Sequence, residues 1–162
     1  MCNGRDSKAA VHVALTEDQI LIQDAAHNFS NDRLKPNAAQ WDEDKHFPVD
    51  ALRNAAAMGF AGIYTREDVG GSGLSRLDAC LVFEQLSRGC VATAAFLSIH
   101  NMCSWMIDSW GTEAQRQRFL PDMMSMEKIA PYCLTDPAAG PDAASLRTND
   151  ARDGDRHILP LS

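Results

Sequence analysis

Tyr132 to Ser145 reads Tyr-Cys-Leu-Thr-Asp-Pro-Ala-Ala-Gly-Pro-Asp-Ala-Ala-Ser. A short apolar strand breaks there into a loop with two prolines, a glycine and two aspartates, and Ser145 follows close behind. A strand that ends in such a loop is suited to hold a ligand, and an ordinary surface connection is the alternative. Other residues invite chemistry less. Asp68 to Leu74 holds three glycines in four residues but lacks the strand-to-helix spacing of a phosphate-binding motif, so it reads as a turn that allows close backbone approach. Glu84 has no second carboxylate on its helical face and reads as a solvated side chain. His100 lies in apolar helical text and reads as a hydrogen-bonded core histidine, with the nearby methionines and Trp105 as packing.

The elements that must position the loop are helices. Thr16 and Gln19 stand at capping-box spacing between Leu15 and Ile20, which predicts a helix to about Lys35, where Pro36 stops or bends it. Trp41 then anchors an acidic connection. Phe47-Pro48 opens a second helix that Gly59 closes with a left-handed cap. Ser75 and Asp78 cap a third, in which Leu77, Cys80, Leu81, Glu84 and Leu86 include the spacing of a buried face. A fourth, about Val91 to Trp110, is apolar almost all round with a narrow polar stripe, as expected in the middle of a bundle. Thr112 and Gln115 cap a short helix that Pro121 is expected to close, and Met123 to Ile129 adds a last turn or two. Ala130 to Thr135 then reads as a first strand and Arg156 to Leu159 as a second, after the Asp153-Gly154 turn.

Composition narrows the classes. The 162 residues suffice for one core, and 45% apolar with 23% charged residues is ordinary for a globular chain. A net charge of -7 argues against nucleic acid. No run approaches the roughly 18 apolar residues of a membrane helix. The five cysteines, Cys2, Cys80, Cys90, Cys103 and Cys133, show no C-x-x-C pairing and read as reduced thiols, with neither a disulfide scaffold nor a zinc site. Met1 to Ala14 is polar, without the features of a signal or transit peptide. The expected organisation is a disordered tail over residues 1–14, a helical domain over 15–129, and over 130–162 the truncated start of a β-domain, since two short strands make no stable sheet alone.

Asp68 to Leu86, Gly111-Thr112-Glu113-Ala114-Gln115-Arg116, Phe119-Leu120-Pro121 and Tyr132-Cys133-Leu134-Thr135-Asp136-Pro137 together resemble the acyl-CoA dehydrogenases, in order and over about residues 15 to 159. Gly70 to Asp78 and Ser98 to Asp108 are similar to the members that act on short branched thioesters such as isobutyryl-CoA, in valine breakdown. The resemblance implies a mainly α N-terminal domain ahead of a β-domain and a helical bundle, assembled as a homotetramer around FAD in the mitochondrial matrix, the cytoplasm being the alternative. It implies a glutamate that removes the α-proton while the β-hydrogen passes as hydride to the flavin, with electrons leaving to an electron-transfer flavoprotein. The flavin segment would be Tyr132, Cys133, Leu134, Thr135, Gly140 and Pro141. Leu134 backbone and Thr135 hydroxyl would meet the flavin edge, and Gly140 would give the backbone room. Pro141 replaces a serine that contacts flavin and acyl-CoA in relatives, and it offers neither hydroxyl nor N–H. The family glutamate falls beyond Ser162, so the chain is expected to be an inactive fragment by itself. A non-catalytic helical module that associates with full-length subunits is the alternative function.

Overall fold

The computed structural model describes residues 15–132, 142, 144, 145, 147 and 149–158; the tail expected at residues 1–14 lies outside the described residues. Helices α1 (Glu17–Phe29), α2 (Ala38–Glu43), α3 (Val49–Ala57), α4 (Arg76–Gly89), α5 (Val91–Trp110) and α6 (Glu113–Met124) precede a hairpin of β1 (Ala151–Asp153) and β2 (Arg156–Ile158). The fold is mainly α, and its helix starts follow local chemistry. Thr16 with Gln19, Ser75 with Asp78 and Thr112 with Gln115 each form a complete capping box, two orphan N–H groups satisfied per helix. The first helix continues through a π turn at Ser30–Leu34 before Pro36. Gly59 closes α3 in the left-handed region, at φ 82°.

α1 packs on α4 and α4 on α5, and between them lie Phe29, Leu34, Leu52, Phe60, Leu86 and Leu97. Phe29 meets Phe60 edge to face at 6.3 Å. A second core of Val69, Leu120, Met123 and Met124 sits under α6. Between the two cores, the glycine-rich loop runs against residues 62–66. Ser72 N–H donates to Gly62 O (2.8 Å), Gly73 N–H to Thr65 O (2.9 Å) and Leu74 N–H to Ile63 O (2.8 Å). The loop is the turn that its sequence predicts, and its glycines serve backbone-to-backbone contact.

Four local expectations need correction. Pro121 does not close α6 but lies inside it; its missing N–H costs one hydrogen bond, and the helix goes on for a further turn capped by Ser125 N–H on Pro121 O. The connection around Trp41 is helical, as α2. Leu77 and Cys80 are exposed, and the buried face of α4 is Ala79, Leu81, Val82, Gln85 and Leu86. Ala130–Tyr132 form no strand, while Cys133, Leu134 and Thr135 lie outside the described residues. The partner of β2 is β1, with Ala151 opposite Ile158 and Asp153 opposite Arg156. The tight turn through Gly154, at φ 63°, pairs the two segments next to it, so β2 finds its neighbour locally.

The close approach is testable at Gly71, where an added Cβ would stand 2.1 Å from Thr65 O and 2.8 Å from Arg66 O. Gly71→Ala is expected to lose about 2 kcal/mol in urea unfolding, as overpacking against rigid backbone does. A loss under a few tenths of a kcal/mol would mean the loop yields freely.

Candidate functional site

The helix α5 is folded with its polar stripe inward. His100, Asn101 and Ser104 are 0% exposed and Asp108 is 4% exposed. Ala94 and Leu97 are buried beside that stripe, while other apolar side chains lie outward: Val91 is 72% exposed, Phe96 40%, Ile99 38% and Trp110 69%. The sequence pattern marks a helix enclosed on several sides; among the described residues the covered side is the one that carries Ala94, Leu97, His100, Asn101, Ser104 and Asp108. A buried polar stripe persists only if each group is paired, and here each is.

Asn101 takes three bonds. Its Oδ1 accepts the Ile63 N–H at 2.8 Å, and its Nδ2 donates to Phe60 O and Leu97 O, both at 2.8 Å. Ser104 donates to His100 O at 2.8 Å. Asp108 accepts from Arg66 N–H (3.1 Å), Arg66 Nε (3.0 Å) and Arg116 Nε (2.9 Å). These donors hold its carboxyl below the usual range, although burial pushes it the other way. Arg116 also grips Asp68 with both oxygens at 2.8 Å and pairs with Glu113, and the three carboxylates raise its pKa further.

His100 is the core histidine that the sequence predicts. Its Nε2 donates to Met123 O at 2.9 Å, and its Nδ1 accepts the Ala130 N–H at 3.1 Å. A carbonyl can only accept and an amide N–H can only donate, so the partners define a neutral imidazole protonated at Nε2. Burial lowers its pKa, opposed by the Met123 carbonyl. One turn along, Cys103 Sγ reaches Pro131 O at 3.5 Å. The segment that leads to Tyr132 is therefore fixed at two successive residues by one face of α5.

Of the sequence-predicted flavin residues, Tyr132 is described and is exposed at the end of that segment. Cys133, Leu134, Thr135, Gly140 and Pro141 lie outside the described residues. Glu84 is exposed, as expected of a solvated carboxylate. Beside the exit, Arg76 stacks between aromatic rings, 3.7 Å from the Tyr64 ring centre and 4.4 Å from that of Trp105. The Tyr64 phenol is pushed up by burial, which Arg76 partly offsets. This stack, and the Arg66–Asp108–Arg116 cluster, have no sequence signature, because they join separate elements without a shared motif.

Two concavities flank the outer face of α5. A groove of about 880 Å³ lies at its N-terminal end, lined by Trp41, Phe47, Arg88, Val91 and Phe96. A smaller one of about 370 Å³ lies at its C-terminal end, against Met106, Trp110 and Phe119. Among the described residues no cluster of three or more His, Cys, Asp or Glu is placed to hold a metal, and no helix is long and apolar enough to cross a membrane.

Helix order and caps define an all-α domain that leaves apolar side chains of its longest helix exposed on one side. The chain belongs to the acyl-CoA dehydrogenase family: the description "Acyl-CoA dehydrogenase, N-terminal domain" matches residues 16–127. It is 56% identical over 147 residues to mitochondrial isobutyryl-CoA dehydrogenase of Dictyostelium discoideum, and 50% identical over 147 residues to that of Bos taurus. Each match covers 91% of this chain and 35% of the relative, so the chain spans about a third of the length of the curated relatives it matches. The fold superimposes on glutaryl-CoA dehydrogenase from Mycobacterium smegmatis in complex with FADH2 with a TM-score of 0.83 at 27% identity, over 90% of this chain and 38% of that one.

Two outcomes follow. Asn101→Leu strands the Ile63 N–H and the Phe60 carbonyl in the core and is expected to cost about 3 kcal/mol in denaturant unfolding, where a surface-like loss near zero would contradict the buried bridge. His100 binds a proton less readily in the folded chain than in the unfolded chain. Its stabilising effect is thus complete above about pH 6.5 and declines as pH falls below that value toward the depressed folded pKa. Urea midpoints between about pH 7.5 and pH 5.5 should fall, and the His100→Gln variant should flatten that slope.

Proposed function

We propose that this chain forms the N-terminal helical part of an acyl-CoA dehydrogenase that oxidises a short branched thioester such as isobutyryl-CoA. The observation that carries the reading is the outward apolar face of α5, which runs up to the exit of Tyr132. In a helix of about 30 Å, that face is long enough to wall a slot for both an acyl chain and a flat cofactor. Residues 15–129 are the helical domain, and 130–162 begin the β-domain. The 50 to 56% identity to two isobutyryl-CoA dehydrogenases supports the substrate class.

The reaction removes the α-proton of the thioester to a carboxylate and the β-hydrogen as hydride, leaving the α,β-enoyl thioester. FAD, when bound, would supply the hydride acceptor, and an electron-transfer flavoprotein is the expected partner. Within this chain, Tyr132 to Thr135 with Gly140 would hold the flavin edge, and Pro141 narrows the contacts available there. The outer residues of α5 would exclude water from the reacting carbons, which keeps the proton transfer and hydride transfer coupled. The base is expected to be a glutamate from another domain of the full-length enzyme. A place in the mitochondrial matrix agrees with relatives named as mitochondrial, and assembly as a homotetramer is what the family resemblance implies.

Prepared alone, the chain is expected to carry no stoichiometric flavin absorbance and to leave isobutyryl-CoA unreacted. Joined in frame to the D. discoideum relative in place of its N-terminal third, it should give an enzyme whose kcat/KM for isobutyryl-CoA exceeds that for a straight eight-carbon thioester by about tenfold or more. A chimera that takes up flavin yet prefers the long straight chain would overturn the substrate assignment.

A further inference from the structure

His100 uses neither of its nitrogens for the chemistry described above. It is fully buried, yet it spends both on the backbone of the chain that follows α6. Its Nε2 donates to Met123 O (2.9 Å) in the last turn of α6, and its Nδ1 accepts the N–H of Ala130 (3.1 Å). Between these two points the chain reverses direction. Met126, buried, adopts a left-handed φ of 60°, and Lys128 N–H returns to Asp122 O at 3.0 Å. A bulky side chain in that region carries strain that its surroundings must over-determine. The imidazole spans the two ends of this reversal and fixes the distance between them.

The same face of α5 continues the work at Cys103, whose Sγ reaches Pro131 O at 3.5 Å. Pro131 biases Ala130 toward extended backbone and cannot itself donate. The chain therefore leaves the helical body held on one side at Ala130 and Pro131, and Tyr132 is the next residue. From these contacts we infer that His100 is a positioning residue: it fixes the point at which the chain leaves α6 and passes to Tyr132. The consequence for cofactor binding rests on the proposed flavin loop; the bracing itself rests on the hydrogen bonds alone. Glutamine keeps the two functions, with Oε1 to accept from Ala130 and Nε2 to donate to Met123. Leucine keeps bulk and helix preference but has neither group.

The test uses the 162-residue chain and two nuclear magnetic resonance measurements. Imidazole nitrogen shifts of the unaltered protein should report a neutral ring protonated at Nε2, and a ring protonated at Nδ1 would overturn the inference without any variant. Amide exchange at Ala130 should accelerate about tenfold in His100→Leu and recover most of its protection in His100→Gln, while amides in α1 and α4 keep their rates. Equal exchange at Ala130 in all three proteins would overturn the brace, as would an acceleration spread evenly over every helix. The FAD content of the chimeric enzyme, compared with that of its His100→Leu and His100→Gln variants, reads the other claim separately. A lower content in His100→Leu that His100→Gln restores supports the flavin loop. Equal content in all three, with the exchange pattern intact, would remove the link to the flavin loop and leave the brace standing.

Discussion

A helix that carries polar side chains inward and apolar ones outward can exist in a folded chain only under two conditions. Every inward polar atom must find a partner, and the outward face must have something to do. The first condition organises the interior of this domain. Asn101 sews α5 to the backbone at Phe60 and Ile63, His100 sews it to the end of α6 and to Ala130, and Asp108 gathers Arg66 and Arg116. None of these contacts adds much net free energy relative to an apolar core, because desolvation offsets the gain. Their effect is on geometry. Removal of one partner leaves a buried group unpaired, so α5 has a single acceptable rotation, and that rotation presents Val91, Phe96 and Ile99 to the outside.

The second condition connects the fold to function. An exposed apolar face on a helix of this length is costly to leave in water and marks a surface that something else covers. The caps and the glycine-rich loop build a rigid scaffold behind that face, while the chain that leaves α6 passes alongside it at Cys103. The outward face and the segment up to Tyr132 are thus set by the same helix. Such an arrangement suits a reaction that needs a dry slot more than it needs many side-chain groups from this domain. Membership of the acyl-CoA dehydrogenase family, matched over residues 16–127, gives the slot its chemical context.

Much of this was legible from the residues alone, for physical reasons that differ by element. Helix starts at Thr16, Ser75 and Thr112 are local hydrogen-bond chemistry, and local chemistry reads directly from spacing. The length of α5 and the buried, hydrogen-bonded state of His100 follow from pattern. Which face of α5 turns inward does not, because the helix is apolar almost all round and the side that carries Ala94 and Leu97 is settled by the paired polar groups beside them. Pro121 misleads for a related reason: proline forbids one hydrogen bond, but packing of Leu120, Met123 and Met124 holds the following turn. The strand expected at Ala130 fails because an apolar run beside a proline reads alike as a strand or as an extended segment pinned to a helix. The stack of Arg76 on Tyr64 and Trp105 has no signature in sequence at all.

The central claim is that the outward face of α5 is the wall against which the acyl chain lies. Photolabelling tests it most directly, with an isobutyryl-CoA analogue that carries a diazirine on its acyl group, applied to the chimeric enzyme and followed by mass spectrometric mapping. The account predicts adducts on the outward residues of α5 between Val91 and Trp110 that are lost when excess isobutyryl-CoA competes. Competed adducts confined to α1 or α3, with α5 unlabelled, would contradict it.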